Sequence, residues 1–272
     1  MGYKNIIDLH THTRNSFDGH YSAMFLCETA FFKGLRAIAF TDHIEIDTYE
    51  SGNFDITARQ SYIDCANARS AFRGKLTVCN GIELGQPTYD IPVAEELLNS
   101  FRYDIVIGSV HNLRGGQDFC YLDYDNEAAN YPDLLDEYFD EELGLVKWGK
   151  FDTLAHLTYP LRYIIGEQKK PVDVARYTDK IDEILRLLAQ SGKALEINTS
   201  GLRQPLGTTM PDEYFVRRFK EFGGELITVG SDAHFAEHLG ANIEDGMALA
   251  KKCGFDYIAL FNDRLPTFIP IE

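Results

Sequence analysis

The chain has no run of eighteen uninterrupted apolar residues, so no segment reads as a membrane-spanning helix. Its start, MGYKNIIDLHTH, lacks the long apolar stretch of a secretory leader. Cysteine is scarce and unpatterned: Cys27, Cys65, Cys79, Cys120 and Cys253 are odd in number and form no CxxC pair. That predicts reduced thiols in a cytoplasmic protein and argues against a disulfide framework. Basic residues are outnumbered 26 to 42, giving a net charge of −16 and a pI near 4.9. A nucleic-acid groove needs clustered Lys and Arg, so neither nucleic acid nor a membrane is expected as a partner. No Pro- or Ser-rich linker divides the 272 residues, and no GxGxxG follows the first apolar run.

What is present is core-forming material, 44% hydrophobic and 12% aromatic. Short apolar runs (NIIDLH, RAIAFTDH, LTVCNGIEL, DIVIGSVH, FDTLAHL, KALEINTS, ELITVGSDAH, DYIALFN) alternate with amphipathic stretches. The stretches from Ser22, over 58–73, at VAEELLNSF, from Pro132 and over 174–192 read as helices, as do DEYFVRRFKEFGG and NIEDGMALAKKCG. Nearly continuous apolar strands separated by helices predict a parallel sheet with its outer face covered. Over this length the economical closure is one (β/α) barrel spanning 1–272 as a single domain. An open doubly wound sheet is the alternative, without the glycine fingerprint that would favour it.

The strand ends carry the chemistry. The first apolar run ends in His10 and His12, with Asp18 in the loop beyond, and the second ends in Asp42 and His43. Later runs end in Glu83, His111 and His156, and then in Asp232 and His234. Six of the eight histidines thus sit where barrels build their sites, at the C-terminal ends of strands. Any one of them alone would read as structural. Together with the carboxylates they read as a site for two to three divalent ions. Imidazole and carboxylate without thiolate suit Zn, Mn or Fe. A carboxylate such as Glu83 can bridge two ions, and clustered ions are a common device for phosphoester hydrolysis.

DLHTHT…SFDG, FTDH, GIEL, GSVH, AHL and GSDAH resemble, in order and spacing, the motifs of the PHP (polymerase and histidinol phosphatase) family. The resemblance runs from about Asp8 to Gly240, and LEINTSGLRQP followed by VGSDAH is similar to the histidinol-phosphate phosphatase branch. It implies a distorted (β/α)7 barrel with a trinuclear site. His10, His12, Glu83 and Asp232 would surround one ion. Glu83, His111 and His156 would hold the second, and Asp18, His43 and His234 the third. The implied reaction is hydrolysis of L-histidinol phosphate in histidine biosynthesis, with a metal-bridging hydroxide rather than a side chain as nucleophile. Two departures stand out. AHLT replaces the branch's frequent GHID, putting Thr158 at an acidic position, and NLRGGQDFCYLDY after His111 differs from the usual aromatic-rich stretch.

Arg203 and Arg162 are the candidates to clamp a substrate phosphate, a role suited to a planar guanidinium. His20 and His238 match no motif position and read as rim residues or proton donors. Asp42 reads as a residue that orients a ligand rather than binding an ion. The acidic run DEYFDEELG is a solvated helix face. Rival readings are action on another monoester (a nucleotide, a sugar phosphate or a phosphotyrosine), metal-dependent amide or ester hydrolysis, and a non-catalytic metal-binding module.

Overall fold

A computed structural model describes residues 3–124 and 130–272. Its core is a ring of parallel strands: β1 (Ile7–Thr11), β2 (Ala37–Phe40), β4 (Thr77–Gly85), β5 (Ile105–Ser109), β6 (Thr153–Leu154), β7 (Ala194–Asn198) and β8 (Ile227–Gly230). A short strand β3 (His43–Glu45) continues the line of β2 along the far half of β4. The ring closes where β1 meets β8: His12 N donates to Ala233 O (2.9 Å) and Asp232 N to His10 O (2.8 Å). This is the distorted seven-position barrel the sequence predicted, with no open-sheet order.

Helices α1 (Ala23–Phe32), α2 (Phe54–Ala71), α3 (Ile91–Ser100), α4 (Tyr131–Trp148), α6 (Thr178–Gln190), α7 (Glu213–Glu221) and α8 (Ile243–Lys252) separate the strands. Local chemistry sets their ends. Ser22 Oγ accepts from Phe25 N at the start of α1, and Asp212 caps α7 through Tyr214 N and Phe215 N. Pro132 occupies the first turn of α4, and Gly149 ends it at φ 68°.

Two expected boundaries shift. The helix expected over 58–73 starts at Phe54. The one expected over 174–192 splits into a 3-10 turn, Val174–Tyr177, followed by α6. After β6 the chain forms a short helix, α5 (Tyr159–Leu161), that runs into a π-helical turn over Arg162–Glu167. DYIALFN is a strand, β9 (Tyr257–Asn262), but it pairs antiparallel with β10 (Leu265–Pro270) outside the barrel. The tip of this hairpin sits against the N-terminal ends of β5 and β6: Arg264 Nε lies 2.9 Å from Asp152 Oδ2 and Arg264 N donates to Asp104 O. The cleft described below is therefore at the opposite, C-terminal face.

Helix α4 lays Tyr138, Phe139 and Leu145 on the barrel wall and carries Glu142 inward with them, fully buried. The Tyr138 hydroxyl lies 2.7 Å from Glu142 Oε1 and 3.2 Å from Leu157 O. Its single hydrogen cannot serve both, and a carbonyl can only accept. A protonated Glu142 donating to Tyr138, which donates to Leu157 O, satisfies all three groups. Burial pushes the Glu142 pKa up to about 8, against a smaller opposing effect of Tyr138. Between its unfolded value of 4.5 and about 8 the folded chain holds the extra proton. Stability contributed by this group is therefore complete below 4.5 and is lost as pH rises toward 8, by up to ~1.4 kcal/mol per unit. Glu142→Gln supplies an N–H donor that does not titrate. In denaturant unfolding, its stability relative to the parent should grow from pH 5 to 8 and level off above; a pH-independent difference would contradict a neutral Glu142.

Candidate metal centre

Every strand-end residue singled out in the sequence reaches the C-terminal mouth of the barrel. His10 and His12 lie at the end of β1, His43 opens β3, and Glu83 lies near the end of β4. His111 and His156 each stand two residues past a strand, and Asp232 and His234 follow β8. Because β3 runs beside β4, His43 is in register with Glu83. Parallel pairing thus turns positions far apart in sequence into neighbours across one ring.

Glu83 is fully buried at the centre of that ring. Its Oε2 lies 3.2 Å from His10 Nε2 and 3.5 Å from His12 Nε2, and Asp232 Oδ1 is 3.4 Å from the same His12 atom. Its Oε1 faces a second pair, His111 Nε2 at 3.1 Å and His156 Nε2 at 2.9 Å, themselves 3.4 Å apart. A third group stands closer to solvent. His43 Nε2 and His234 Nε2 are 3.4 Å apart, and Asp18 Oδ2 is 3.0 Å from the latter. Donors about 2.0–2.2 Å from one ion sit roughly 3–3.5 Å from each other, so these separations suit shared ions.

The electrostatics point the same way. Burial alone would push Glu83 and Asp232 toward the neutral acid, but the surrounding histidines hold both carboxyls well below their usual range. Burial likewise opposes charge on His10, His43 and His111, and the carboxylates Glu196, Glu83, Asp232, Asp18 and Glu45 overcome it and raise all three. His12 goes the other way, to about 3, through burial and the neighbouring His234 and His43. The pocket thus holds buried negative charge that demands cations. His10 Nε2, His12 Nε2, Glu83 Oε2 and Asp18 Oδ1 are buried without a well-formed hydrogen bond. Orphaned donor atoms facing one another are rare in folded proteins unless something sits between them. The donor set fits divalent ions.

The rings are aimed from behind. Glu196 Oε1 lies 2.7 Å from His10 Nδ1, and Asp232 O is 3.1 Å from His234 Nδ1. Ser16 Oγ lies 3.2 Å from His12 Nδ1, and its own hydrogen goes to Asp42 Oδ1. Acceptors at Nδ1 fix the proton there and leave Nε2 bare toward the centre. Asp42 therefore orients a ring only at one remove, through Ser16; its other bonds tie down Thr13 and Ser61. Glu45 and Glu196 were missed in the sequence. Glu196 had a signal, a lone carboxylate inside the apolar run KALEINTS. Glycine makes room for it: a Cβ on Gly230 would overlap both His10 and Glu196.

A cleft of about 450 Å3 opens over the centre and is also lined by Arg162, Arg203, His20 and His238. A wider groove of about 1040 Å3 lies elsewhere, beside α2 and α3, and none of the histidines line it. Arg203 Nη1 and Nη2 donate to Ser231 O (2.6 Å) and Asp232 O (2.8 Å), and no carboxylate pairs with it among the described residues. Three of its five N–H groups are left for the cleft. Arg162 Nε is buried without a partner. His20 stacks on Phe235 at 4.1 Å, and His238 meets the same ring edge-on. Asp118, another residue the sequence did not flag, lines the cleft and is held by Tyr159 Oη (3.0 Å) and Cys120 N (2.8 Å).

Comparison with known proteins follows the same lines. The PHP domain model matches residues 8–200. A probable histidinol-phosphatase of Thermotoga maritima is 31% identical over 264 residues, covering 96% of this chain and 98% of that one. The histidinol-phosphatase of Lactococcus lactis is 29% identical, with 94% of both chains covered. The crystal structure of histidinol phosphate phosphatase from Lactococcus lactis, complexed with Zn, L-histidinol and phosphate, superposes with a TM-score of 0.83 at 25% identity. That match covers 97% of this chain and 99% of the other. The chain belongs to the PHP family, on its histidinol-phosphatase branch.

Proposed function

We propose that the protein is a single-domain, metal-dependent phosphomonoesterase that hydrolyses L-histidinol phosphate to L-histidinol and phosphate. The observation that carries this reading is the meeting, in one cleft, of three inward-facing donor groups and two arginines. His10, His12, Glu83 and Asp232 would hold one ion, Glu83, His111 and His156 a second, and Asp18, His43 and His234 a third. Bound there, Zn, Mn or Fe would supply the Lewis acidity that ionises a water nucleophile and neutralises phosphoryl oxygens.

The chain's own residues do the rest. Arg203, with two N–H groups fixed on backbone carbonyls, turns its remaining donors to the phosphoryl oxygens, and Arg162 offers its unpartnered Nε–H. His238 is pulled below its ordinary pKa by burial and by Arg203, which disfavours the protonated form that a proton donor needs. His20, exposed at the rim, is the better donor to the departing alkoxide. The substrate is an amine as well as a phosphate. Asp118, fixed by Tyr159 and Cys120, is the carboxylate placed to meet its ammonium group. Support for histidinol phosphate over other monoesters comes from this feature and from the Zn, L-histidinol and phosphate in the Lactococcus lactis structure.

Arg203→Ala tests the phosphate clamp. Each charge-assisted hydrogen bond lost is worth roughly 1.5–3 kcal/mol. The expected fall in kcat/KM is about ten- to a few-hundred-fold. Inhibition by inorganic phosphate should weaken in parallel, and Arg203→Lys should recover only part of the loss. Metal content should hold, because Asp232 N is also tied to His10 O. Wild-type turnover with wild-type phosphate inhibition would return Arg203 to the rank of a scaffold residue and leave amide or ester hydrolysis open.

Asp118→Asn tests the substrate. It should raise KM for histidinol phosphate by about tenfold, the size of one modest charged contact. KM for an uncharged-tail monoester such as p-nitrophenyl phosphate should barely move. Equal effects on both substrates would remove the amine-recognition role.

A further inference from the structure

Glu45 lies behind the centre, almost fully buried, and faces two histidines that belong to different ligand groups. Its Oε1 is 3.0 Å from His111 Nδ1 and 3.3 Å from His43 Nδ1. Its Oε2 accepts from Gln86 Nε2 at 2.9 Å. A carboxylate can only accept, so the contact to His111 puts that ring's proton on Nδ1 and leaves its Nε2 bare toward its ion position. His43 Nδ1 lies between two carboxylates, Glu45 Oε1 at 3.3 Å and Glu83 Oε2 at 3.0 Å, which together turn its Nε2 toward the third position.

The surroundings are built to hold that carboxylate still. Gln86 stands at φ 48°, in the left-handed region that costs a non-glycine residue conformational energy. Its side chain is pinned at both ends: Oε1 accepts from His111 N at 3.0 Å, and Nε2 also reaches Asn112 and Asp47. Asn112 Nδ2 in turn donates to Asp47 Oδ2 at 2.9 Å. Gly85, in register with Glu45 across β3 and β4, has no side chain, and a Cβ there would overlap Glu45 Oε2. A strained glutamine, an amide network and a side-chain-free strand position all converge on one carboxylate that itself points at no ion position.

We infer that Glu45 is a positioning residue that couples the second and third ion positions, because among the described residues outside the ligand set it is the carboxylate that lies behind a ligand of each. The His10 ring is served separately by Glu196 Oε1, while Glu196 Oε2 accepts from the backbone N–H of His156 at 2.9 Å. The inference rests on the assignment of the nine ligands to three ions made above. Loss of the Glu45 carboxylate should loosen two ions together, whereas loss of the acceptor at His10 Nδ1 alone should loosen one.

The test is zinc binding to chelator-stripped protein, followed by calorimetry, with cobalt(II) absorption spectra as a second readout. Parent protein should take up three ions. Glu45→Gln keeps the side chain's volume but turns an amide toward Gln86 and the two rings. It should weaken two binding steps together by about 10–100-fold and shift two sets of cobalt bands. Glu196→Gln, whose amide oxygen still accepts from His156 N while its NH2 faces His10 Nδ1, should weaken a single step. A parent that binds no zinc would sink the ligand assignment itself. A parent that binds three ions while Glu45→Gln gives the same isotherm, or loses one step alone, would overturn only the coupling role. Circular dichroism checks that the variant folds. If it does not, Gln86→Leu, which frees Glu45 Oε2, must weaken the same two steps by a smaller factor, and an unchanged isotherm would overturn the inference.

Discussion

The structure depends on one buried carboxylate. Glu83 is fully removed from water, and its Oε1 faces two imidazole nitrogens and its Oε2 three. An isolated ion in such a place costs several kcal/mol even after relaxation, so the ring must supply positive charge. In the chain by itself, raised histidines provide it. Divalent ions would provide it better, because one ion can replace several protons and satisfy the orphaned Nε2 atoms at the same time. The need for cations is thus written into the burial of Glu83 rather than into the surface charge of the protein.

Barrel geometry makes that burial possible. Strands β1, β4 and β8 deliver their end residues to one mouth, while the β9–β10 hairpin sits against strand ends at the other. Successive supports then hold each ring: Glu45, Glu196, Ser16 and the Asp232 carbonyl each accept from, or lie behind, a ligand Nδ1. Two of the seven non-glycine residues at positive φ among the described residues lie here: Asp232, a ligand, and Gln86, the brace of Glu45. Backbone cost at such positions is one way a fold holds donors closer together than they would sit by choice.

Much of this was legible in the sequence for a physical reason. His10, His111 and Asp232 interrupt or terminate apolar runs, and a polar residue at the end of a buried strand has few places to point. The seven barrel strands were legible because each is buried on both faces and reads as a continuous apolar word. Other features were not. Glu45 sits in HIEID, which reads as ordinary surface alternation, and only pairing with β4 reveals that it is enclosed. Asp118 lies in a loop whose path no periodicity fixes. The strand Leu265–Pro270 was hidden by its two prolines, tolerable only because it lies at an edge. The early start of α2 at Phe54 follows a left-handed Asn53, a turn that composition does not announce.

The central claim is that Glu83 is shared between ions, and elemental analysis of a Glu83→Ala variant measures it most directly. Purified parent and variant would be compared for Zn, Mn and Fe per chain, with circular dichroism to establish folding and Glu244→Ala as an exposed control. A bridging carboxylate holds two ions, so the variant should lose more than one ion per chain, with phosphatase activity abolished and the control unaffected. A folded Glu83→Ala protein that keeps its full complement of metal would contradict the account.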